Sequence, residues 1–475
     1  MTEPLWTWGD LLAASGAAAD GAPSIPITGF SLDTRTLAPG DVFVALRDTR
    51  DGHAFVTSAF KRGASAALVE TGYARNAADG ALLRVADTLD GLRGIARAAR
   101  ARSQAGIVAV TGSVGKTGTK EALRACLSRL GPTHAAEKSF NNHWGVPLTL
   151  ARMPASARYG VFEIGMNHAG EIAPLSQLVR PQVAIVTTVE SVHLQFFASV
   201  AEIAEAKAEI FLGIEAGGTA ILNRDNPFFD LLRGRALEAG ARVVSFGRHA
   251  DADVRPEVLT LGADGSDIVV RVGGKRIAYR LAAPGAHIAQ NSLAVVAAIA
   301  ALGADVEAAV PALAGITAAK GRGARRKLAV EDGAILLIDE SYNASPASMR
   351  SALAAMATVP RQHFARRIAV LGDMLELGDD SGRLHEDLKE AVDAAEVDLV
   401  FACGPHMQRL YAALPDARRG EWGATSQDIL AALVAAVRAG DVVMIKGSLG
   451  SRMEPLVDAL VRKSEAGAGD FRAGS

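Results

Sequence analysis

Residues 107–123 read IVAVTGSVGKTGTKEAL: an apolar run, a short turn holding two glycines, and the start of an amphipathic helix. A buried strand passing straight into a helix through such a turn restricts the chain to folds in which helices cover a parallel sheet. Gly112 and Gly115 free the backbone to point its N–H groups at an anion beside the helix N-terminus. Lys116 adds a cation that reaches β- and γ-phosphates, and Thr117 adds a hydroxyl suited to magnesium. With Ser113, Val114 and Gly118 between and beside them, these residues form a phosphate-binding loop for ATP. The general pattern GxxxxGK[ST] has glycine where this chain has Val110, so the loop is a tighter variant, TGSxGKT. A guanine nucleotide would call for NKxD, and the nearest match, Asn223-Arg224-Asp225-Asn226, ends in Asn; a GTPase is excluded.

The rest of the chain repeats the strand–helix alternation. At about 150 residues per domain, the 475 residues suggest three domains. Residues 1–105 mix short strand-like runs (DVFVAL, AALVE, ALLRVAD) with alanine-rich helices and end in the arginine-rich GLRGIARAARARSQ. Residues 106–325 alternate GIVAVTG, YGVFEIG, VAIVTTV, TAILN and RVVSFG with helical segments, a central doubly wound unit. Within it SDIVVRV and KRIAYRLAA, separated by Gly273 and Gly274, read as a β-hairpin, followed by a helix that starts beside Pro284. The loop AAKGRGARRK closes this unit. Residues 326–475 restart the alternation (AILLID, RIAVLGD, DLVFACG, DVVMIKG) as a smaller Rossmann-like unit, with the tail GAGDFRAGS expected to be disordered.

Charge and cysteine usage narrow the partners. A net charge of -2 offers no basic surplus for a nucleic-acid backbone or an anionic membrane, which favours small-molecule chemistry. Cys126 and Cys403 stand far apart outside any CxxC pattern, so no disulfide framework is expected and a reducing compartment fits. The N-terminus carries acids where a signal peptide carries Lys or Arg, and the apolar stretch near Leu293 to Ala304 is too short for a bilayer. A cytoplasmic protein without membrane insertion is the expectation.

Phosphoryl transfer to a carboxylate brings anions together, and magnesium, which prefers oxygen ligands, would neutralise them. Glu163 closes the apolar strand in YGVFEIG, where a charge is costly unless it faces the crevice above the sheet. It is read as a metal ligand. His193 follows the strand VAIVTTV in a loop and should lie at the same edge, as a metal or phosphate contact or as a surface residue. In SVAEIAEAKAEIFLGI, Lys207 shares a face with Ile203, Ile210 and Phe211, whereas Glu202, Glu205 and Glu209 lie opposite. Its amine either snorkels to the surface or is uncharged or modified.

TGSVGKT, EIGMN, the His in VHLQFF, AKAEIF, HIAQNSLAVVAAI and GRGARR occur in the order seen in the three-domain Mur ligase family, which the chain resembles over nearly its whole length. KSFNNHWGVPLTL, EIGMNHAGEI, IDESYNASPASM and VLGDMLELG are similar to its D-alanyl-D-alanine-adding branch. The resemblance implies that Thr117 and Glu163 hold one magnesium with the ATP phosphates. It implies that Glu163, His193 and Lys207, the last carbamylated as in many relatives, serve a second. Asn291 and Arg322 resemble residues contacting adenine and the γ-phosphate, and the segment with Glu340, Tyr342 and Asn343 resembles a nucleotide-facing loop. Relatives usually read DDSYNANP there, so Glu340 and Ser345 depart from the pattern. The N-terminal SLDTRTLAPGDVFVAL and DGHAF resemble a UDP-binding domain, which points to Asp33, Thr34, Arg35, Asp51 and His53; Asn142 in KSFNNHWG joins them as a substrate contact.

The implied reaction joins UDP-MurNAc-tripeptide to D-Ala-D-Ala: the tripeptide carboxylate attacks ATP, Lys116 assists, and the amine displaces phosphate from an acyl phosphate. Lys116, Glu163, His193 and Lys207 are the catalytic set, and a monomer is expected. Closure of the C-terminal unit near AAKGRGARRK would shield the acyl phosphate from water. A folylpolyglutamate synthase shares the ATPase core but would not be expected to carry the N-terminal unit. A non-catalytic nucleotide-binding protein would have no need of Glu163, His193 and Lys207.

Overall fold

The computed structural model describes residues 4–137, 139–192 and 194–470, the last five of these for their backbone only. The first sheet holds β1 (Ala18–Asp20), β2 (Gly29–Ser31), β3 (Asp41–Val44), β4 (Ala66–Glu70) and β5 (Ala81–Val85) in the order β1-β5-β4-β3-β2. Strands β2 to β5 run parallel and β1 antiparallel. Helix Thr88–Arg102 starts where the Asp87 side chain accepts the N–H of Asp90, and buries Leu92, Ile95, Ala96 and Ala99. Its buried Arg100 donates to the carbonyls of Val179 and Arg180 and pairs with Glu215 at 2.9 Å, which ties this unit to the next.

The central sheet is fully parallel. Strands β6 (Gly106–Thr111), β7 (Thr133–Ala135), β8 (Tyr159–Glu163), β9 (Val183–Val186), β10 (Thr219–Asn223) and β11 (Arg242–Phe246) lie in the order β11-β10-β9-β6-β8-β7. From β6 the chain goes out to β7, returns through β8, then crosses to β9 on the other flank of β6. That reversal opens a crevice at the carboxyl ends of β6, β8 and β9. Ile107 to Val110 are fully buried, as a strand covered on both faces requires.

The expected hairpin is present, with Gly273 and Gly274 at φ 55° and 80° joining β13 (Gly265–Val272) to β14 (Lys275–Leu281). It carries an additional edge strand, β12 (Pro256–Gly262). Helix Ala286–Ala301 follows and buries its apolar length from Leu293 to Ile299.

The third sheet runs β15-β16-β20-β17-β18-β19, with β15 (Ala324–Val330), β16 (Gly333–Glu340), β17 (Arg366–Gly372), β18 (Leu399–Cys403), β19 (Arg419–Gly423) and β20 (Asp441–Lys446). Only β15 is antiparallel among the paired strands described here. Ala324 to Lys327, expected in a loop, form the start of β15. Consecutive cations conceal the alternation of a strand, and on an edge they discourage pairing with another chain. The last helix, Glu454–Asp470, runs through the GAGD expected to be disordered, whereas 471–475 lie outside the described residues.

Candidate active site

The phosphate loop leaves β6 at the crevice and enters helix Lys116–Ser128. Gly112 and Gly115 sit at φ 146° and 86°, and a Cβ on either would strike a neighbour, the Thr187 hydroxyl or the Asn291 carboxamide. Thr187 Oγ1 donates to Val114 O at 2.6 Å, pinning the loop to the end of β9. The Lys116 ammonium curls back onto Gly112 O at 2.7 Å. Burial lowers its pKa and the nearby Glu163 carboxylate opposes that shift. Gly118 is exposed, with open space where a Cβ would be.

Glu163, the last residue of β8, is buried and faces this loop: Oε2 accepts from Thr117 Oγ1 at 3.0 Å and Oε1 from Asn141 Nδ2 at 2.8 Å. Ser139 Oγ lies 3.3 Å from Thr117 Oγ1. A hydroxyl and a carboxylate side by side are oxygen donors of the kind magnesium prefers, so these residues fit the ion. Among the described residues no cluster of three or more His, Cys, Asp or Glu forms, so such an ion would complete its shell with phosphate and water oxygens. Lys207 is 2% exposed on helix Val200–Ala208, buried like Ile203 on the same helix and like Ile210 and Phe211 in the 3-10 turn Glu209–Gly213 that continues it. Burial, and then the charge of Lys116, hold its pKa well below the ordinary lysine value. It does not snorkel. His193 lies outside the described residues.

A cleft of about 810 Å³ runs between the central and third sheets. The phosphate loop, Asn142, Glu163 and Asn291 line one wall; Arg322, Glu340, Tyr342 and Asn343 line the other. Asn142 Oδ1 accepts from Gly145 N at 2.9 Å, at the start of helix Gly145–Ala151. The Arg322 guanidinium stacks 4.0 Å over the Tyr342 ring and reaches Ser139 Oγ at 3.5 Å, spanning the two units. Glu340 and Lys446 are register partners on β16 and β20, and Lys446 Nζ donates to Glu340 Oε2 and Asn343 O, each at 3.1 Å. Ser345, the other departure from the usual loop, caps helix Pro346–Ala357 in a capping box with Ser348.

Asp33, Thr34, Arg35, Asp51 and His53 do not line this cleft. Asp33, Thr34 and Arg35 follow β2, and after β3 Asp51 caps the 3-10 turn Gly52–Phe55 that holds His53, all at the carboxyl edge of the first sheet. Asp33 pairs with the exposed Arg35 at 2.7 Å, and Thr34 is half-buried between them. His53 Nε2 accepts from Glu70 N at 3.0 Å, so Nδ1 carries the proton and donates to Asp51 Oδ1 at 2.6 Å. The backbone N–H of His53, and then that contact, lower the Asp51 pKa.

In the sequence Ser139 and Asn141 are ordinary loop polars; only folding sets them against Thr117 and Glu163. Lys446 was findable. It closes an apolar parallel strand, DVVMIK, as Glu163 closes YGVFE.

A phosphate loop and an acid at the edge of one parallel sheet, a buried lysine on a helix of the same unit, and a second, mostly parallel sheet across the cleft define a class of ATP-dependent ligase. The Mur ligase middle domain family matches residues 110–299, and the Mur ligase glutamate ligase domain family residues 324–449. A UDP-N-acetylmuramoyl-tripeptide--D-alanyl-D-alanine ligase from Escherichia coli (strain K12) is 35% identical over 440 residues, 92% of this chain and 94% of that protein. The crystal structure of MurF from Acinetobacter baumannii superposes with TM-score 0.84 at 31% identity, covering 97% of this chain and 99% of that one. MurF ligase from Thermotoga maritima in complex with ADP gives TM-score 0.77 at 26% identity, covering 93% and 98%. The chain belongs to the Mur ligase family. Relatives 31–35% identical to it over at least 90% of its length carry the name UDP-N-acetylmuramoyl-tripeptide--D-alanyl-D-alanine ligase.

Proposed function

We propose that the protein joins the terminal carboxylate of UDP-MurNAc-tripeptide to the amine of D-Ala-D-Ala, with ATP cleaved to ADP and phosphate, in peptidoglycan precursor synthesis. The Thr117–Glu163 contact beside the phosphate loop carries this reading, in a chain that a relative of that activity matches over 92% of its length. In this reading the loop N–H groups and Lys116 hold the phosphates. Arg322, stacked on Tyr342, meets the γ-phosphate, while Asn291, Glu340 and Asn343 contact the nucleoside. Asn142 faces the reacting end of the tripeptide. Magnesium at Thr117 and Glu163, and a second ion at Glu163, His193 and a carbamylated Lys207, supplies charge neutralisation when bound.

The carboxylate oxygen attacks the γ-phosphorus, the bond to ADP breaks, and an acyl phosphate forms. The cleft walls exclude water from it until the dipeptide amine attacks. The uridine end lies on the N-terminal unit, near Asp33, Thr34, Arg35, Asp51 and His53. We divide the chain at 105/106 and 325/326 into units for UDP, ATP and ligation, and read it as a cytoplasmic monomer. Among the described residues, no helix is long and apolar enough to cross a membrane.

Phosphate release from ATP tests the assignment, with UDP-MurNAc-tripeptide and D-Ala-D-Ala supplied singly and together. Release that needs both supports it; ATP binding without turnover on either tripeptide, lysine- or diaminopimelate-containing, overturns it.

A further inference from the structure

Most carboxylates facing the cleft are committed to partners. Glu163 accepts from Thr117 and Asn141, Glu121 pairs with Lys120 and Arg124, Glu171 accepts from Asn167 N and His168, and Glu340 holds Lys446. Glu190 lines the same cleft without an ion pair to any described residue. It is nonetheless held firmly. Its N–H donates to Ser113 Oγ at 2.9 Å, and Ser113 Oγ donates to its carbonyl at 3.2 Å, so the residue is strapped to the phosphate loop.

The carboxylate itself is oriented by a short relay. Asn226, buried, donates from Nδ2 to Thr188 Oγ1 at 3.0 Å and to Val189 O at 2.9 Å. Thr188 Oγ1 passes its proton towards Glu190 Oε1 at 3.1 Å. A half-buried acid fixed by donors but lacking a cation is costly unless a cation arrives with a ligand. Half-burial raises its affinity for a proton, and among the described charges Arg350 opposes that. Arg350 stands on helix Pro346–Ala357 of the opposite wall, exposed and likewise without a described ion-pair partner, while its neighbours Ala347 and Ser351 line the cleft. Two uncommitted charges of opposite sign, one per wall, match a small zwitterion.

We propose that Glu190 and Arg350 form the receptor for the incoming dipeptide, Glu190 taking its ammonium end and Arg350 its carboxylate end. This rests on the ligase reading above. Glu190 accepts one proton from the ammonium, leaving a neutral amine beside the loop that holds the transferred phosphoryl group. The nitrogen lone pair forms the bond to the acyl carbon, the carbon–oxygen bond to phosphate breaks, and the leaving phosphate takes the bonding electrons and the surplus amine proton. Glu190 then returns its proton to solvent. Its backbone links to Ser113 do not involve the carboxylate, so Glu190→Gln leaves the strap intact and removes only the charge.

The test compares two nucleophiles on the full-length enzyme with ATP and tripeptide. Hydroxylamine, uncharged at neutral pH, needs no base and reports acyl phosphate formation as hydroxamate. With Glu190→Gln, amide formation with D-Ala-D-Ala should fall on the order of 100-fold, while hydroxamate formation stays within about twofold of wild type. Arg350→Gln should raise KM for D-Ala-D-Ala about tenfold with kcat little changed, and should treat the dipeptide and its C-terminal carboxamide alike. An equal fall in hydroxamate and amide for Glu190→Gln would overturn the proposal, as would an Arg350→Gln enzyme that still prefers the free carboxylate as wild type does. Wild-type enzyme yielding no hydroxamate would instead overturn the ligase reading beneath it.

Discussion

Thr117 and Glu163 come from different strand–helix units, 46 positions apart, yet Thr117 Oγ1 donates to Glu163 Oε2 at 3.0 Å in the cleft. Each side chain also has a second polar neighbour, Ser139 Oγ for Thr117 and Asn141 Nδ2 for Glu163. Glu163→Gln keeps the shape but removes the anion, and should lower kcat/KM on the order of 1000-fold, the scale for a group acting on developing charge. Thr117→Ala added to it should cost little more, because the two act as a unit. Steady-state phosphate release on the single and double variants checks both.

Burial, and then the charge of Lys116, hold the Lys207 pKa well below 10.5, so more of its amine is neutral than in an exposed lysine. A neutral amine reacts with carbon dioxide and an ammonium does not. Labelled bicarbonate should therefore give a carbamate carbon resonance in the wild-type protein that Lys207→Met lacks, and activity should fall in carbon dioxide-free buffer and return with bicarbonate.

The same shift has a stability signature in protein kept free of carbon dioxide. The native value lies below the unfolded one, so between them the unfolded chain binds the extra proton and stability rises with pH. The window runs from the depressed value up to 10.5. Urea midpoints of Lys207→Met should rise less across that window than those of wild type.

Gly115→Ala should abolish nucleotide binding. A Cβ there meets the Asn291 carboxamide, and φ 86° is strained for any residue with a side chain. Asn291→Ala relieves the collision but leaves the backbone strain and removes a nucleoside contact, so the double variant should recover at most a small part of the affinity. Calorimetric titration with ADP measures it.

Lys446 is 2% exposed and holds Glu340 and the carbonyl of Asn343. Lys446→Met strands Glu340 and should destabilise by about 3 kcal/mol, with Glu340→Gln recovering part of that in the double variant. Urea denaturation of the four proteins closes the cycle.

Local chemistry was what the sequence made legible. Glycines spaced for a phosphate loop, a charge closing an apolar strand, and a lysine within an apolar helix stripe located Gly112 to Thr117, Glu163 and Lys207. Residues that gain their role only across the fold were not legible: Asn141 beside Glu163, Ser139 beside Thr117, and Glu190 with its relay from Asn226. Strands β12 and β15 escaped because an edge strand need bury little, and the charges on β15 erase its alternation. The extra methylene of Glu340 looked like a departure from a nucleotide contact; in the fold its carboxylate meets Lys446 on the next strand.

Activation of the tripeptide carboxylate as an acyl phosphate, at the loop holding Lys116 and Thr117, would carry one of its oxygens into the released phosphate. UDP-MurNAc-tripeptide with heavy oxygen in both positions of its terminal carboxylate, turned over with ATP and D-Ala-D-Ala, tests it by mass spectrometry of the released phosphate. One heavy oxygen in each phosphate is the expected result. Unlabelled phosphate, with pentapeptide product still forming, would contradict it.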